Sequence, residues 1–195
     1  MRIIGISCFY HDSAVAYVKD GVLISAIQEE RFSRKKHDPS FPFNAFGWIL
    51  DKYLLRLEDI DCIAFYENPS LKLKRIKYSH IVSWPHSFET YKRDIESQRF
   101  KVNIKKYIRQ EIGYKGLIEF NDHHMSHAAS AFLLSPFKRS AILTIDGVGE
   151  FDTTTIGIGN TNNIEIIKRV KFPHSLGLLY SAFTYYCGFK INSGE

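Results

Sequence analysis

The sequence lacks long apolar runs, a leader-like start and more than a few cysteines. No stretch approaches the ~20 consecutive apolar residues of a membrane-spanning helix, so no membrane association is expected. The opening Met-Arg-Ile-Ile-Gly-Ile is typical of a strand and lacks the apolar region of a signal peptide. The widely spaced Cys8, Cys62 and Cys187 fit reduced thiols. These absences predict a soluble, cytoplasmic protein.

The charge is basic, but no recognised nucleic-acid-binding motif accompanies it. The net charge is +5 and the isoelectric point is near 9.0, values that permit binding to polyanions. Most of the excess lies in three short runs at residues 31–36, 72–77 and 101–106, which are typical of a solvated surface. We therefore expect no nucleic-acid partner. A hydrophobic content of 45% favours a folded chain.

Two distant segments of the chain follow the same plan. Arg2–Gln28 and Ala141–Val170 each contain three apolar, strand-like runs separated by polar turns. In both segments the first turn carries an acidic residue beside small residues. Two such copies facing each other are predicted to clamp a nucleotide between their loops.

The order of elements predicts an α/β fold. Residues 1–136 follow the order βββαβαβα, which is that of a ribonuclease H-like unit, a mixed sheet with flanking helices. Glu89–Ile112 is predicted as one amphipathic helix, and residues 70–88 carry no clear pattern. Residues 137–195 begin a second ribonuclease H-like half and end after its first helix, near Cys187. The predicted organisation is one complete half and a truncated second half of a longer polypeptide.

The sharpest metal signal is the pair His123 and His127. Residues four apart lie on one helix face, so both imidazoles can reach one cation. His124 is expected to bind a phosphate or a carbonyl group instead, and it occupies the place of the glutamate in the HExxH metalloprotease pattern. The alternative is a polar helix start with accidental histidines. Two histidines are too few for a tight site, so a third ligand is expected elsewhere.

Most of the remaining candidates lie in the first turn of the two similar segments, Arg2–Gln28 and Ala141–Val170. His11 can act as a general base beside Asp12, although His-Asp-Ser is also ordinary turn chemistry. The glycine loop that starts at Asp146 can direct backbone N–H groups at phosphate, although many hairpins contain Asp-Gly. A basic loop is a weaker candidate for an anionic substrate. The candidates for nucleotide or phosphate binding are Ser13, Asp146, Gly147 and Gly149. The candidates for substrate binding are Arg34, Lys36 and His37.

Five stretches together resemble the N-terminal part of the NodU-type O-carbamoyltransferases. They occur in the family's order and touch most of the chain, but residues 70–110 carry little of the resemblance. The stretches are GISCFYHDSAVAYVKDG, QEERFSRKKHDPSFP, FNDHHMSHAASAFLLSPF, ILTIDGVGE and SLGLLYSAFTYYCGFKINSGE.

The resemblance implies an actin/sugar-kinase-like domain of two ribonuclease H-like halves, related to the tRNA threonylcarbamoyl transferase. It also implies a two-step carbamoyl transfer. A YrdC-like C-terminal domain, absent from this sequence, would make carbamoyl-adenylate from carbamoyl phosphate and ATP. The domain seen here would pass the carbamoyl group to a hydroxyl of a small-molecule acceptor, with His11 as base and Asp12 beside it. His123 and His127 would hold a divalent metal, Fe²⁺ in relatives, that contacts the nucleotide phosphates. The third ligand would be an aspartate after Glu195.

Two other functions fit the same fold. A sugar-kinase-like phosphotransferase could use the same duplicated clamp, and a non-catalytic nucleotide-binding module could retain it without chemistry. Because the YrdC-like domain and the third ligand are missing, this chain alone is expected to be inactive and to bind metal weakly.

Overall fold

A five-stranded mixed sheet forms from the first half of the chain. The computed structural model describes residues 1–191, apart from the side chains at positions 97 and 99. The strand order is β3-β2-β1-β4-β5, with β2 antiparallel to both of its neighbours and with β1, β4 and β5 parallel. The strands are β1 Arg2–Ser7, β2 Ala14–Lys19, β3 Val22–Gln28, β4 Cys62–Phe65 and β5 Leu117–Phe120. The predicted α/β class, with a ribonuclease H-like mixed sheet and flanking helices, is confirmed.

Alternating apolar residues of these strands build the first core. Ile4 and Ile6 of β1 are 0% and 2% exposed, as period-two alternation requires when one face is buried. Helices cover the sheet with their apolar stripes. In the core they contribute Ala45, Phe46 and Ile49 of α2 (Phe43–Lys52) and Ile104 and Ile108 of α5 (Ile104–Ile112).

The helix predicted over Glu89–Ile112 is two helices. α4 spans Phe88–Val102 and α5 begins at Ile104, with Asn103 between them. Asn103 donates its backbone N–H to the carbonyl of Phe100, a tight turn that ends α4. The predicted end at Gly113 is confirmed, and its φ of 73° is the left-handed conformation that glycine accepts readily. The short α1 (Glu30–Ser33) occupies part of the predicted basic loop.

Residues 70–88, which carry no clear sequence pattern, contain most of α3 (Pro69–Val82). Asn68 caps this helix, since its side chain accepts hydrogen bonds from the backbone N–H groups of Ser70 and Leu71. Pro69 stands at the first helical position, where its missing N–H costs nothing. The Asn-Pro pair is therefore a helix start, and the helix itself was missed because its apolar face is weak.

A second sheet, with three antiparallel strands, forms from the later part of the chain. The strands β6 Arg139–Ile145, β7 Asp152–Asn160 and β8 Asn163–Lys171 lie in that order. α6 (His123–Phe132) packs on one face, where Ala128 and Phe132 meet Ile142. α7 (Leu176–Tyr186) follows β8, as the sequence predicts. The last four residues of the stretch SLGLLYSAFTYYCGFKINSGE, which carries part of the family resemblance, are residues 192–195. They lie outside the described residues.

Contacts divide the chain into two compact units. One contains residues 1–66 and 85–121, and the other contains residues 67–84 and 122–195. The second unit therefore includes α6, because this helix buries its apolar face on β6 and β7. The predicted division into 1–136 and 137–195 instead assigns α6 to the first half. Among the helices of residues 1–191, none has the length and apolar character that crossing a bilayer demands.

Candidate functional site

The two predicted metal ligands, His123 and His127, lie in the N-terminal part of α6, in the second unit. Asp122 caps the helix by accepting a hydrogen bond from the Met125 N–H at 2.9 Å. The helix then places His123 and His127 on one face, where their Nε2 atoms lie 3.2 Å apart. Asp146 follows β6 and adds a carboxylate, whose Oδ2 atom is 2.8 Å from His123 Nε2 and 4.0 Å from His127 Nε2. The structure thus joins the two histidines to a residue assigned from sequence to phosphate binding.

This group has the dimensions of a cation site. Its candidate ligand atoms all lie within 4.8 Å of one another. Two ligands about 2.1 Å from one ion lie about 3.0 Å apart at a right angle and about 3.4 Å apart at the tetrahedral angle. Two of the separations, 2.8 and 3.2 Å, lie near those values, and the third, 4.0 Å between His127 and Asp146, is wider. The residues present therefore fit a divalent metal, and Asp146 offers a third ligand within this chain.

The protonation states also suit metal binding. The hydrogen bond with His123 lowers the pKa of Asp146 from 3.8 to about 2, so the carboxylate is anionic at neutral pH. Burial and the neighbouring His123 lower the pKa of His127 below 6.5, which favours its neutral form. A carboxylate and a neutral imidazole are the forms that donate a lone pair to a metal.

His124 is 1% exposed, and its ring centroid lies 5.9 Å from that of His123 and 6.0 Å from that of His127. It donates from Nε2 to the backbone carbonyl of Asp152 at 2.8 Å, and in the neutral ring Nδ1 accepts from the Thr144 hydroxyl at 2.6 Å. Thr144 in turn accepts from the Thr155 hydroxyl, 2.7 Å away. The carbonyl that His124 contacts in the structure is one of the protein's own, and this network anchors α6 to β6 and β7.

The predicted phosphate-binding glycines have different surroundings. The backbone N–H of Gly147 donates to Asp146 Oδ1 at 2.6 Å, and a Cβ atom there would meet only the end of Leu178. A Cβ atom on Gly149 would lie 2.9 Å from the ring of His123. Gly149 therefore allows the loop to approach α6 closely. Phosphate binding by this loop stays a prediction.

Sequence reasoning missed Glu150, which ends the same loop. Its side chain is buried, and burial raises the pKa of this carboxyl above 4.5. Its oxygens accept hydrogen bonds from the backbone N–H groups of Asn68 and His123. Nothing in the sequence indicates these contacts, because the partners lie 82 and 27 residues away.

The first unit contains a second group of titratable side chains. His11 Nδ1 lies 2.7 Å from Asp12 Oδ2, and His37 Nδ1 lies 3.0 Å from Asp12 Oδ1. Burial raises the pKa of Asp12, but hydrogen bonds from His37 and His11 outweigh burial and lower it below 3.8. Because a carboxylate only accepts hydrogen bonds, both imidazoles donate from Nδ1, and Nε2 carries the lone pair in the neutral form of each ring. The structure therefore adds His37, a weak substrate candidate, to the predicted His11–Asp12 pair.

The backbone around this group is unusual. Asp12 and His37 have φ values of 49° and 57°, which are uncommon for residues other than glycine. Glu30 accepts a hydrogen bond from the His37 N–H at 3.0 Å, and its carboxylate lies within 4.8 Å of the ligand atoms of Asp12 and His37. These contacts fix the loop that presents His37.

The other predicted residues of the first unit do not share one environment. Ser13 is 0% exposed, and its hydroxyl has no hydrogen-bond partner among the described residues. Arg34 and Lys36 are exposed on the loop before His37. Ser13 is thus a buried support of the turn in this structure, and its predicted contact with phosphate is untested.

The fold and the His-His-Asp group define an α/β protein with a candidate metal centre, and comparison with known proteins identifies its family. The chain matches the family described as carbamoyltransferase N-terminus over residues 2–195. It is 44% identical over 203 residues to protein sll1178 of Synechocystis sp., covering 100% of this chain and 33% of that protein. It is 34% identical over 186 residues to the nodulation protein NolNO of Sinorhizobium fredii, covering 93% of this chain and 26% of that protein.

The chain belongs to the carbamoyltransferase N-terminus family, which confirms the predicted resemblance. It spans about a third of the length of sll1178 and less of NolNO. Among solved structures, YeaZ from Pseudomonas aeruginosa has a TM-score of 0.49 and 13% identity, over 88% of this chain and 67% of that one.

Proposed function

We propose that the polypeptide containing this chain is an O-carbamoyltransferase. The family match over residues 2–195 carries this proposal. Carbamoyl phosphate and ATP would give carbamoyl-adenylate, with release of phosphate and pyrophosphate, in a YrdC-like domain outside this chain. The present domain would then transfer the carbamoyl group to a hydroxyl of a small-molecule acceptor.

His11 is the proposed general base. Its Nδ1–H donates to Asp12, which leaves Nε2 to accept the proton of the acceptor hydroxyl. The acceptor oxygen then forms a bond to the carbamoyl carbon, the bond from that carbon to the adenylate phosphate oxygen breaks, and AMP leaves. Asp12 stabilises the imidazolium that forms, and His37 holds the second oxygen of Asp12.

His123, His127 and Asp146 are the proposed protein ligands of a divalent metal. Two histidines and one carboxylate with open positions are typical of Fe²⁺, and imidazole also suits Zn²⁺. When bound, the ion would supply positive charge for phosphate oxygens of the nucleotide. The aspartate implied after Glu195 would add a further ligand. The Asp146–Gly149 loop would lie beside the phosphates.

Labelled carbamoyl phosphate tests the overall reaction. The full-length protein is incubated with the label, ATP, Fe²⁺ and a panel of hydroxyl acceptors, and we expect a carbamoyl ester. Phosphate on the acceptor without a carbamoyl ester would indicate a sugar-kinase-like phosphotransferase. Nucleotide binding without turnover over the whole panel would indicate a non-catalytic module.

His11→Ala tests the proposed base. Loss of a general base typically lowers a rate by ~10²–10⁴-fold, so transfer to the acceptor should fall by about that factor. Formation of carbamoyl-adenylate, measured as pyrophosphate release, should persist because His11 takes no part in it. Equal loss of both half-reactions would mean that His11 supports folding or nucleotide binding.

A further inference from the structure

Glu150 holds the candidate metal loop against the starts of two helices. Its side chain is 5% exposed. Oε1 accepts a hydrogen bond from the backbone N–H of Asn68 at 2.5 Å, and Oε2 accepts one from the backbone N–H of His123 at 3.1 Å. One carboxylate therefore connects the start of α3, the start of α6 and the end of the Asp146–Glu150 loop, all within the second unit.

These partners explain why an acidic residue is buried there. The first N–H groups of a helix have no acceptor within the helix, and Asn68 and His123 are the cap of α3 and the first residue of α6. The partial positive charge of a helix N-terminus also favours a carboxylate nearby. Glu150 satisfies one such donor from each helix.

Glu150 is not one of the proposed metal ligands. Each oxygen of Glu150 accepts a hydrogen bond from a backbone N–H group. The ligand group consists of His123, His127 and Asp146 and does not include it. Its effect on that site must therefore act through the residues that it holds.

The loop contacts His123 at both of its ends. Asp146, at the start of the loop, lies 2.8 Å from the imidazole of His123, and Glu150, at the end, binds the backbone of the same residue. Between them, Gly149 lets the loop approach the His123 ring. The separation of Asp146 Oδ2 from His123 Nε2 thus depends on how far the loop stands from the first turn of α6, and Glu150 fixes that distance.

We propose that Glu150 is a positioning residue of the metal site, which sets the spacing of Asp146 from His123 without binding the ion. The inference rests on the metal site of the proposed function. Partners that orient metal ligands typically contribute 10–100-fold to metal affinity.

The test uses Co²⁺ alone with the full-length protein. Glu150→Gln keeps the shape but replaces one accepting oxygen by an NH₂ group, which cannot accept from a backbone N–H. We expect the Kd for Co²⁺ to rise by about tenfold or more and the visible d–d spectrum of bound Co²⁺ to change. Glu150→Asp keeps the charge but is too short to reach both N–H groups, and it should also weaken binding. The Asp variant decides the question if the Gln variant does not fold.

A matched control separates positioning from general stability. Glu67 is a buried glutamate of the same unit that pairs with Lys72 at 2.8 Å and is not in the ligand group. Glu67→Gln should lower the melting temperature but leave the Kd for Co²⁺ unchanged. If Glu150→Gln and Glu150→Asp also lower the melting temperature and leave the Kd for Co²⁺ unchanged, Glu150 only stabilises the fold and the inference is overturned.

His123→Ala distinguishes this failure from failure of the metal site itself. If the wild-type protein binds Co²⁺ and His123→Ala does not, the site exists, and the Glu150 variants then test positioning alone. If His123→Ala binds as well as the wild type, the metal site is rejected and the inference about Glu150 is rejected with it.

Discussion

At the scale of single residues, two glycines of one loop have different steric surroundings. A Cβ atom on Gly149 would lie 2.9 Å from His123 and 3.2 Å from His124, distances that require something to move. A Cβ atom on Gly147 would meet only Leu178, at an ordinary 3.8 Å. Gly149 therefore determines how closely the loop approaches the histidines, and Gly147 does not.

We predict that Gly149→Ala weakens metal binding and that Gly147→Ala does not. The added methyl group at position 149 pushes the loop away from α6 and separates Asp146 from His123, so the Kd should rise about tenfold or more, as for other changes in metal surroundings. Calorimetric titration of both variants with Co²⁺ makes the comparison. Equal affinities of the two variants would contradict this account.

The second prediction at the scale of single residues concerns the carboxylate of Asp38. Hydrogen bonds from Ser33 and Ser40 lower its pKa from 3.8 to about 2. Since the folded pKa lies below the unfolded one, the stabilisation is present above about pH 4 and disappears as the pH falls through about 2. Asp38 also accepts a hydrogen bond at its backbone carbonyl from Ser13, so it secures the turn after His11.

Asp38→Asn should therefore lower the melting temperature at pH 5 more than at pH 2. The amide cannot carry the charge that the hydrogen bonds stabilise, but at pH 2 much of the wild-type carboxyl is protonated and neutral as well. Thermal unfolding across this range measures the difference, with Asp51→Asn, an exposed position on α2, as control. A difference that stays constant with pH would show that Asp38 keeps its ordinary pKa.

The metal group shows which parts of a site a sequence reveals. The pair His123 and His127 was predictable because a helix brings residues four apart together. Asp146 was singled out, but its place beside the histidines was not predicted, since a contact across 23 residues depends on how β6 packs against α6. The backbone contacts of Glu150 leave no pattern in the sequence for the same reason.

At the scale of elements, strands were easier to predict than helix starts and helix breaks. The two three-stranded segments were predicted because short apolar runs between polar turns are a local pattern. The break at Asn103 was not, because the apolar spacing continues across it. α3 was missed because its start is held by a cap while its apolar stripe is weak.

Close packing of α6 on the second sheet gives a prediction at this scale. A Cβ atom on Gly159 of β7 would lie 2.5 Å from the ring of Phe132, which is 3% exposed. Gly159→Ala should therefore destabilise the protein by about 1–3 kcal/mol, the usual cost of overpacking. Urea unfolding measures this cost. Phe132→Leu, combined with Gly159→Ala, should recover part of the loss, because it vacates the ring position.

Gly47 in α2 is the matched control, because a Cβ atom there would meet nothing within 4 Å. Gly47→Ala should stabilise the protein by about 0.5–1 kcal/mol, since alanine loses less backbone freedom in a helix. If both alanine variants changed stability in the same direction, the close contact at Gly159 would not explain its effect.

At the scale of the whole molecule, the second sheet is apolar on both faces. Ile142 and Thr144 of β6 are buried on the face that α6 covers. On the opposite face, Leu143 is 62% exposed and is paired directly with Ile156, which is 44% exposed. Ile145 and Ile158 extend this surface. A strand with apolar residues on both faces is typical of a sheet covered on both sides.

The last prediction is that residues outside this chain cover that surface in the full-length polypeptide. The chain corresponds to 33% of sll1178, so a relative of that length has ample sequence to do so. In the 195-residue chain, Leu143→Thr combined with Ile156→Thr should reduce binding of a hydrophobic dye. The same pair should lower the melting temperature of the full-length protein, because threonine replaces buried apolar groups there. An unchanged melting temperature in the full-length protein would mean that this face of the sheet remains in contact with solvent.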